Sequence, residues 1–398
     1  CDVTVCDRRE RAQLGAAGDE AAAQGAKFAL GADYLEHLDF DVIFRTPGVL
    51  PIVPQLRKAA QNGAILISEK EVFCNLCPCR TLAITGSDGK TTTSTITAEL
   101  LRAQGYTVHL GGNIGTPLFD RIADIRPDDF AVLELSSFQL HSMHCAPDVA
   151  IITNISPNHL DVHPDLEDYV SAKCSIYRGQ RPDGVLVLNA KDAHTPRFAA
   201  EAPGSVRYFS SVGPVENGVY CSDGVIYRAH GGKAEKLIDV SDIRIPGAHN
   251  VENYMAAFAA TDGLVGQAAC VQVARSFAGV PHRMERIREL NGITFINDSI
   301  ASSPTRTIAG LHALRQKPIL IAGGYDKHIP FDKLGDEICR HVKALFLTGF
   351  TAEKIYDAVT KSPLYDPKAL PIRKIDDFRE AVLAAAASAE EGDLVLLS

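Results

Sequence analysis

Short β-branched and aliphatic runs recur along the chain, alternating with stretches whose apolar positions fall three or four residues apart. That alternation predicts a parallel sheet wrapped by helices. "DVTVCD" (2–7), "DVIFRT" (41–46) and "AILIS" (64–68) read as three strands of a first α/β unit. A second unit contains "TLAITG" (81–86), "FAVLELS" (130–136), "DVAIITNIS" (148–156) and "GVLVLNA" (184–190). From about 204 to 245 short strands with glycine-rich turns replace the helical pattern, and "GAHNVENYMAAFAAT" (247–261) resumes as an amphipathic helix. After Pro281 come "ITFINDS" (293–299), "PILIAGG" (318–324), "ALFLTG" (344–349) and "DLVLLS" (393–398), with helices between them. The expected fold class is α/β in three domains. These are a partial Rossmann-like domain over 1–79, a phosphate-loop domain with a small β portion over 80–279, and a Rossmann-like domain over 280–398.

Composition narrows the partners. The 398 residues are 46% hydrophobic, ample for several cores, and the net charge of −9 argues against an electrostatic nucleic-acid binder. No stretch approaches 18 consecutive apolar residues and no signal-peptide pattern opens the chain, so a cytoplasmic protein without membrane attachment is expected. Ten cysteines are scattered apart from "CNLCPC" (Cys74, Cys77, Cys79). That spacing can start a metal site, yet no second pair follows at zinc-finger spacing, and reduced, partly buried thiols are expected.

The segment Gly86-Ser87-Asp88-Gly89-Lys90-Thr91-Thr92 runs from a strand into a helix. It lacks the first glycine of the usual G-x-x-x-x-G-K-[ST] loop, since Ile84 stands there. Backbone N–H groups at the helix start can still wrap phosphate oxygens, with the helix dipole favouring negative charge. Lys90 is placed to reach the β- and γ-phosphates and the Thr91 hydroxyl to face Mg²⁺. The alternative is a glycine turn capped by threonine, with Lys90 solvated.

Further candidates lie at strand ends. Glu134 sits inside an apolar strand, where a carboxylate is costly unless paired or metal-bound. "TNISPNHLDVH" (153–163) delivers His159, Asp161 and His163 into a loop. Lys173, among Tyr169, Val170, Ile176 and Tyr177, reads as a snorkelling lysine, a neutral nucleophile, or an amine that adds CO₂ to become a metal-binding carbamate. Asn250 and Asn253 share a helical face, as caps or as amides for an adenine edge. Arg283 opens the third unit, where a cation reaches a transferring phosphate, and Asp298 and Lys327 follow strands of that unit. Asp7 closes the first strand, where nucleotide-binding sheets often place a ribose or base contact.

Together "GSDGKTT", "GGNIGTPL" (111–118), "LELSSFQL", "TNISPNHLDVH", "SAKCSIY", "GAHNVEN", "PHRMER" and "NDSIASSPTRT" resemble the Mur ligases over essentially the whole chain. The short phosphate loop is similar to that family's G-[ST]-x-G-K-[ST]. "GGNIGTPL" with "LELSSFQL" is most similar to the branch that adds D-glutamate to UDP-N-acetylmuramoyl-L-alanine. The resemblance implies that ATP phosphorylates the alanine carboxylate and that the D-glutamate amine displaces the phosphate through a tetrahedral intermediate. It assigns Lys90 and Thr91 to the ATP phosphates and a first Mg²⁺, with Glu134. His159 and a carbamoylated Lys173 go to a second metal, for which Mn²⁺ can substitute.

By the same match, Asn113, Ser136 and Ser137 face the muramoyl-alanine arm, and Asn250, Asn253, Arg283 and Asp298 face adenine, phosphate and ribose. Ser302 and Lys327 lie near the D-glutamate carboxylates, while Asp7, Arg8, Thr46, Pro47 and Gly48 fall in the uridine-binding region. The expected partners are the two substrates alone, with a monomeric chain. The match also implies a glycine-rich turn before Cys1 and a closing loop after Ser398, and hence a core that binds ATP better than it turns over. Folylpolyglutamate synthase shares the architecture but would lack "GGNIGTPL" and the uridine-site matches. A non-catalytic relative would have lost His159 or Lys173, and a GTPase or kinase has no use for the third unit.

Overall fold

The computed structural model describes every residue of the chain except 47, 48, 50–52, 114–116, 158–162, 302 and 327–329. The expected strands are present, but the first unit is arranged differently. β1 (Thr4–Asp7) pairs in parallel with β2 (Lys27–Leu30), and β3 (Val42–Phe44) pairs in parallel with β4 (Ile65–Ile67). They form two separate two-stranded sheets in place of three strands of one unit. β2 escapes notice in the sequence because "KFAL" is too short for a period to show.

The second unit is one nine-stranded sheet. Its strands are β5 (Arg80–Thr85), β6 (Val108–Gly112), β7 (Phe130–Glu134), β8 (Val149–Ile152) and β9 (Val185–Asn189). They continue with β10 (Ser205–Ser210), β11 (Gly218–Ser222), β12 (Val225–His230) and β13 (Lys233–Asp239). The order is β13-β12-β11-β10-β9-β8-β5-β7-β6, parallel as far as β11 and antiparallel through β12 and β13. The glycine-rich stretch of short strands therefore extends the parallel sheet rather than standing apart from it.

Side chains alternate faces along a strand, and here both faces are apolar, as a sheet covered on both sides requires. Leu82, Ile84, Val132, Ile151 and Val187 enter one core with helices Lys90–Ala103, Ala248–Ala260 and Gln267–Ser276. Ala83, Ala131, Leu133, Ala150, Ile152 and Leu188 enter the other, with helix Leu166–Arg178. β5 lies between β7 and β8, so the chain leaves it toward one side of the sheet and later returns to the other. The loop after β5 thus stands at a topological switch point, where open α/β sheets bind ligands.

The third sheet has the order β14-β15-β19-β16-β17-β18. Its strands are β14 (Glu285–Leu290), β15 (Ile293–Asn297), β16 (Ile319–Gly323), β17 (Ala344–Thr348), β18 (Ile372–Lys374) and β19 (Leu394–Leu397). β14 is the antiparallel edge; the other neighbours are parallel. β14 and β15 join through Asn291–Gly292 with φ of 52° and 72°. Two positive φ values suit the tight hairpin turn that Asn-Gly favours. Ile319, Ile321, Phe346 and Val395 face one small core, and Leu320, Ala322, Leu345, Leu347 and Leu396 face the other.

Buried Arg45, just after β3, ties the first unit to the second. Its guanidinium donates to the carbonyls of Thr46 (3.2 Å), Val49 (2.8 Å) and Phe138 (3.4 Å) and to Ser142 Oγ (2.8 Å). Arg45→Ala would leave those acceptors unsatisfied, at about 1–3 kcal/mol. The expected outcome is faster limited proteolysis within residues 1–79, with the nucleotide affinity of the second unit kept.

Candidate active site

β5 ends at Thr85, and the four residues before helix Lys90–Ala103 form a compact turn that two glycines make possible. Gly86 has φ 146°, and a Cβ there would lie 1.9 Å from Thr153 Oγ1. Gly89 has φ 81°, and a Cβ there would lie 2.3 Å from Asn253 Oδ1. Both the backbone conformation and the lack of room therefore demand glycine. The turn is braced from β8's continuation. Ser87 N–H donates to the Asn154 carbonyl at 2.9 Å, Asp88 N–H to Asn154 Oδ1 at 2.9 Å, and Thr153 Oγ1 to the Asp88 carbonyl at 2.6 Å. Ser87 Oγ bonds Tyr169 Oη at 2.9 Å and accepts from Ser156 N–H at 2.8 Å. A loop braced this way is preorganised before any phosphate arrives.

Two lysines meet on this turn. Lys90 Nζ donates to the carbonyls of Gly86 (2.9 Å) and Ser87 (3.0 Å). Lys173 Nζ, from helix Leu166–Arg178, donates to the same Gly86 carbonyl at 2.8 Å. Lys173 is buried and lies 4.5 Å over the Tyr169 ring. Burial, then the neighbouring Lys90 charge, hold its pKa well below the usual lysine value. Burial also lowers Lys90, to about 8. Snorkelling is thereby ruled out for Lys173.

Glu134 ends β7, which pairs with β5, and is 1% exposed. Its Oε1 accepts from Asn113 Nδ2 at 3.1 Å, whereas Oε2 is buried with no hydrogen-bond partner among the described residues. Buried Thr92 Oγ1 is likewise without one. An orphaned carboxylate oxygen beside a phosphate loop fits a divalent cation, whose hard charge takes oxygen ligands. Thr91 occupies the first turn of the same helix.

The remaining nucleotide candidates except Asn250 line one cleft of about 240 Å³ shared by the second and third units. Asp88, Gly89, Asn253, Arg283 and Asp298 are among its walls. Asn253 Nδ2 donates to Asn250 Oδ1 (3.2 Å), and Asn250 Nδ2 to the Pro246 carbonyl (2.6 Å), so these amides form a fixed chain. Arg283 is lowered by burial and by the Arg306 charge. Asp298 accepts from Met284 N–H at 3.0 Å, and burial pushes its pKa up to about 6.

Other candidates are placed less simply. Ser136 caps a short helix, its Oγ accepting from Gln139 N–H at 3.3 Å. Ser137 Oγ bonds His163 Nε2 at 3.0 Å, and His163 Nδ1 bonds Asp168 at 2.6 Å. Buried His163 therefore leaves the expected loop cluster and serves Ser137 and Asp168. Asp7 pairs with Arg9 at 2.8 Å, not with Arg8, and that bond lowers its pKa to about 2. Arg8 and Thr46 are exposed. The calls on Pro47, Gly48, His159, Asp161, Ser302 and Lys327 lie outside the described residues. All ten cysteines are free, with Cys77 and Cys79 sulfurs 3.5 Å apart.

Four residues gain roles that the sequence did not assign. Thr153 and Asn154 brace the loop, and Tyr169 links Ser87 to Lys173. Arg306 lies 3.5 Å from Asp88, bridging the third unit to the phosphate loop. Tyr169 sits four residues before Lys173, a spacing that puts both on one helix face and could have found it.

Comparison with known proteins agrees with this layout. Residues 84–261 match the Mur ligase middle domain and residues 282–398 match the Mur ligase glutamate ligase domain. UDP-N-acetylmuramoylalanine--D-glutamate ligase of Acetivibrio thermocellus is 47% identical over 400 residues, covering 100% of this chain and 86% of that protein. Its counterpart in Clostridium acetobutylicum is 44% identical over 401 residues, with the same two coverages. Among solved structures, MurF ligase from Thermotoga maritima in complex with ADP aligns with a TM-score of 0.59 at 18% identity, covering 100% of this chain and 93% of that one. That likeness supports the α/β fold.

Two outcomes test the geometry. Gly89→Ala should weaken nucleotide binding at least about tenfold by calorimetry, because the side chain meets Asn253 and the backbone is strained. Asp298 titrates near 6 when folded, above the ordinary value of about 3.9, so the folded chain binds the proton more tightly. Its contribution to stability is full below about pH 4 and is lost as pH rises through about 6. Urea unfolding should show Asp298→Asn relieving that loss, by at most about 3 kcal/mol relative to the parent.

Proposed function

The chain belongs to the Mur ligase family, and on that premise we propose that it joins D-glutamate to UDP-N-acetylmuramoyl-L-alanine with ATP in peptidoglycan precursor synthesis. The observation that carries the reading is the meeting of Lys90 and Lys173 on the Gly86 carbonyl. It brings the phosphate-binding cation and the buried amine to one point. The 47% identity over the whole chain supports the same substrate pair.

In this reading residues 1–79 form the uridine-binding domain, 80–279 the ATP-binding domain and 280–398 the domain for the incoming amino acid. The loop N–H groups and Lys90 hold the triphosphate, while Asn250, Asn253 and Asp298 hold adenosine. Arg283 and Arg306, which line the shared cleft, offset charge on the γ-phosphate as it moves to the alanine carboxylate. Lys173 stays neutral, so its amine can take up CO₂ and release a proton, turning a neutral amine into a carbamate anion. Thr91 and Glu134 would hold one Mg²⁺, and His159 with the Lys173 carbamate a second. Bound there, the metals supply charge neutralisation between two anions that would otherwise repel.

The D-glutamate amine then attacks the acyl phosphate carbonyl, and phosphate departs to leave the amide. A second cleft of about 240 Å³, lined by Ser303, Thr307, Gly323, Gly324 and Thr351, lies beside β16 and suits the incoming amino acid. The described helices include none long and apolar enough to cross a membrane, in keeping with a chain that works on soluble substrates.

Phosphate release with UDP-N-acetylmuramoyl-L-alanine should require D-glutamate; equal release with L-glutamate or L-lysine would defeat the assignment. Lys173→Ala should abolish turnover while ATP binding persists, and added short-chain carboxylates should restore part of it. A carbamate carbon signal from ¹³CO₂, present in the parent and absent in the variant, checks the modification directly.

A further inference from the structure

Away from the shared cleft, the third unit carries a compact nitrogen and oxygen cluster that amide ligation does not use. His312 is the penultimate residue of helix Pro304–Ala313, and Glu337 and His341 lie in the last turns of helix Asp332–His341. Glu337 Oε2 is 2.6 Å from His312 Nε2 and 3.3 Å from His341 Nε2. The ligand atoms of all three residues lie within 4.8 Å of one another. We infer that His312, Glu337 and His341 form a binding site for a divalent transition-metal ion of the zinc type.

Four features argue for it. The donor set is two imidazoles and a carboxylate, the mixture that zinc takes. Glu337 and His341 are four residues apart, so one helical face presents both, while His312 comes from the neighbouring helix. Tetrahedral zinc with bonds of roughly 2.0–2.2 Å needs donors about 3.3–3.5 Å apart. One pair is already at 3.3 Å, and the half-exposed His312 side chain can open the other by less than 1 Å. Finally, both helices end here, so the negative poles of two helix dipoles favour a cation at this point.

One neighbour opposes the ion. Arg340 Nη1 holds the other carboxylate oxygen, Glu337 Oε1, at 2.6 Å, which leaves Glu337 as a single-oxygen ligand and withdraws part of its charge. The side-chain exposures of 51%, 19% and 41% for His312, Glu337 and His341 leave a fourth position for water. The bound ion would clasp the C-terminal ends of the two helices. Pro304, at the opposite end of the first, is about 12 Å away by helical rise, so the site acts on stability rather than on chemistry.

Calorimetric titration of the full chain with zinc chloride, without nucleotide, tests the inference. The parent should bind one zinc equivalent that the His312→Ala/His341→Ala chain loses or binds at least tenfold more weakly. Arg340→Ala should bind that equivalent several-fold more tightly, an effect that a misfolded variant cannot mimic. Cobalt chloride identifies the ligands: visible bands without thiolate charge transfer should appear in the parent and vanish in the double variant. Unchanged zinc stoichiometry and affinity in that variant, or cobalt bound only through thiolate, would overturn the site, as would a parent that binds no zinc.

Discussion

One carbonyl oxygen organises the catalytic half of this molecule. The Gly86 carbonyl accepts from both Lys90 and Lys173. Two ammonium groups cannot both stay charged at such a meeting point when one of them is fully buried. The proton leaves Lys173, and a neutral, fixed amine results. Burial serves that outcome: the Tyr169 ring covers the amine and apolar helix neighbours exclude water, while the nearby Asp88 and Glu134 carboxylates oppose it more weakly than burial favours it. The site is therefore an electrostatic problem, and the carbamate and metals of the proposed function are one solution to it.

The second organising element is the switch point in the nine-stranded sheet. Because β5 stands between β7 and β8, its loop collects Glu134 from one neighbour and Thr153–Asn154 from the other. The helix before the loop's partner face brings Lys173 and Tyr169. Glu134, Thr153 and Asn154 lie at or just beyond strand ends, whereas Tyr169 and Lys173 reach the loop from helix Leu166–Arg178. The third unit closes the cleft with Arg283, Asp298 and Arg306, so the shape of the candidate nucleotide cleft depends on how the second and third units meet.

The parts of this arrangement that were legible in the sequence are those whose pattern is local. Gly86–Thr92 announced a phosphate loop, and the apolar strands around it announced a parallel sheet. Glu134 stood out because a carboxylate in an apolar run demands a partner. What escaped depends on contacts between distant segments. The pairing of β1 with β2 apart from β3 with β4 cannot be read from runs of three or four residues. His163 read as one of a loop's polar groups, yet packing turns it toward Ser137 and Asp168. Arg306 lay in a recognised motif, but nothing in the motif says that it reaches Asp88. β14 was missed although Asn291–Gly292 signalled a hairpin, because "ERIREL" exposes most of its residues and lacks an apolar face.

The Asp88–Arg306 contact has a consequence for turnover. Asp88 occupies, with a single carboxylate, a place beside the loop that a phosphate group would dominate. When nucleotide is absent Arg306 still has an anion at hand, so the empty cleft is not left with a stranded positive charge. In the proposed reading, departure of the spent nucleotide would exchange one anionic neighbour of this partly exposed guanidinium for another. A side chain of the protein thus supplies the counter-charge for this guanidinium from within the loop itself.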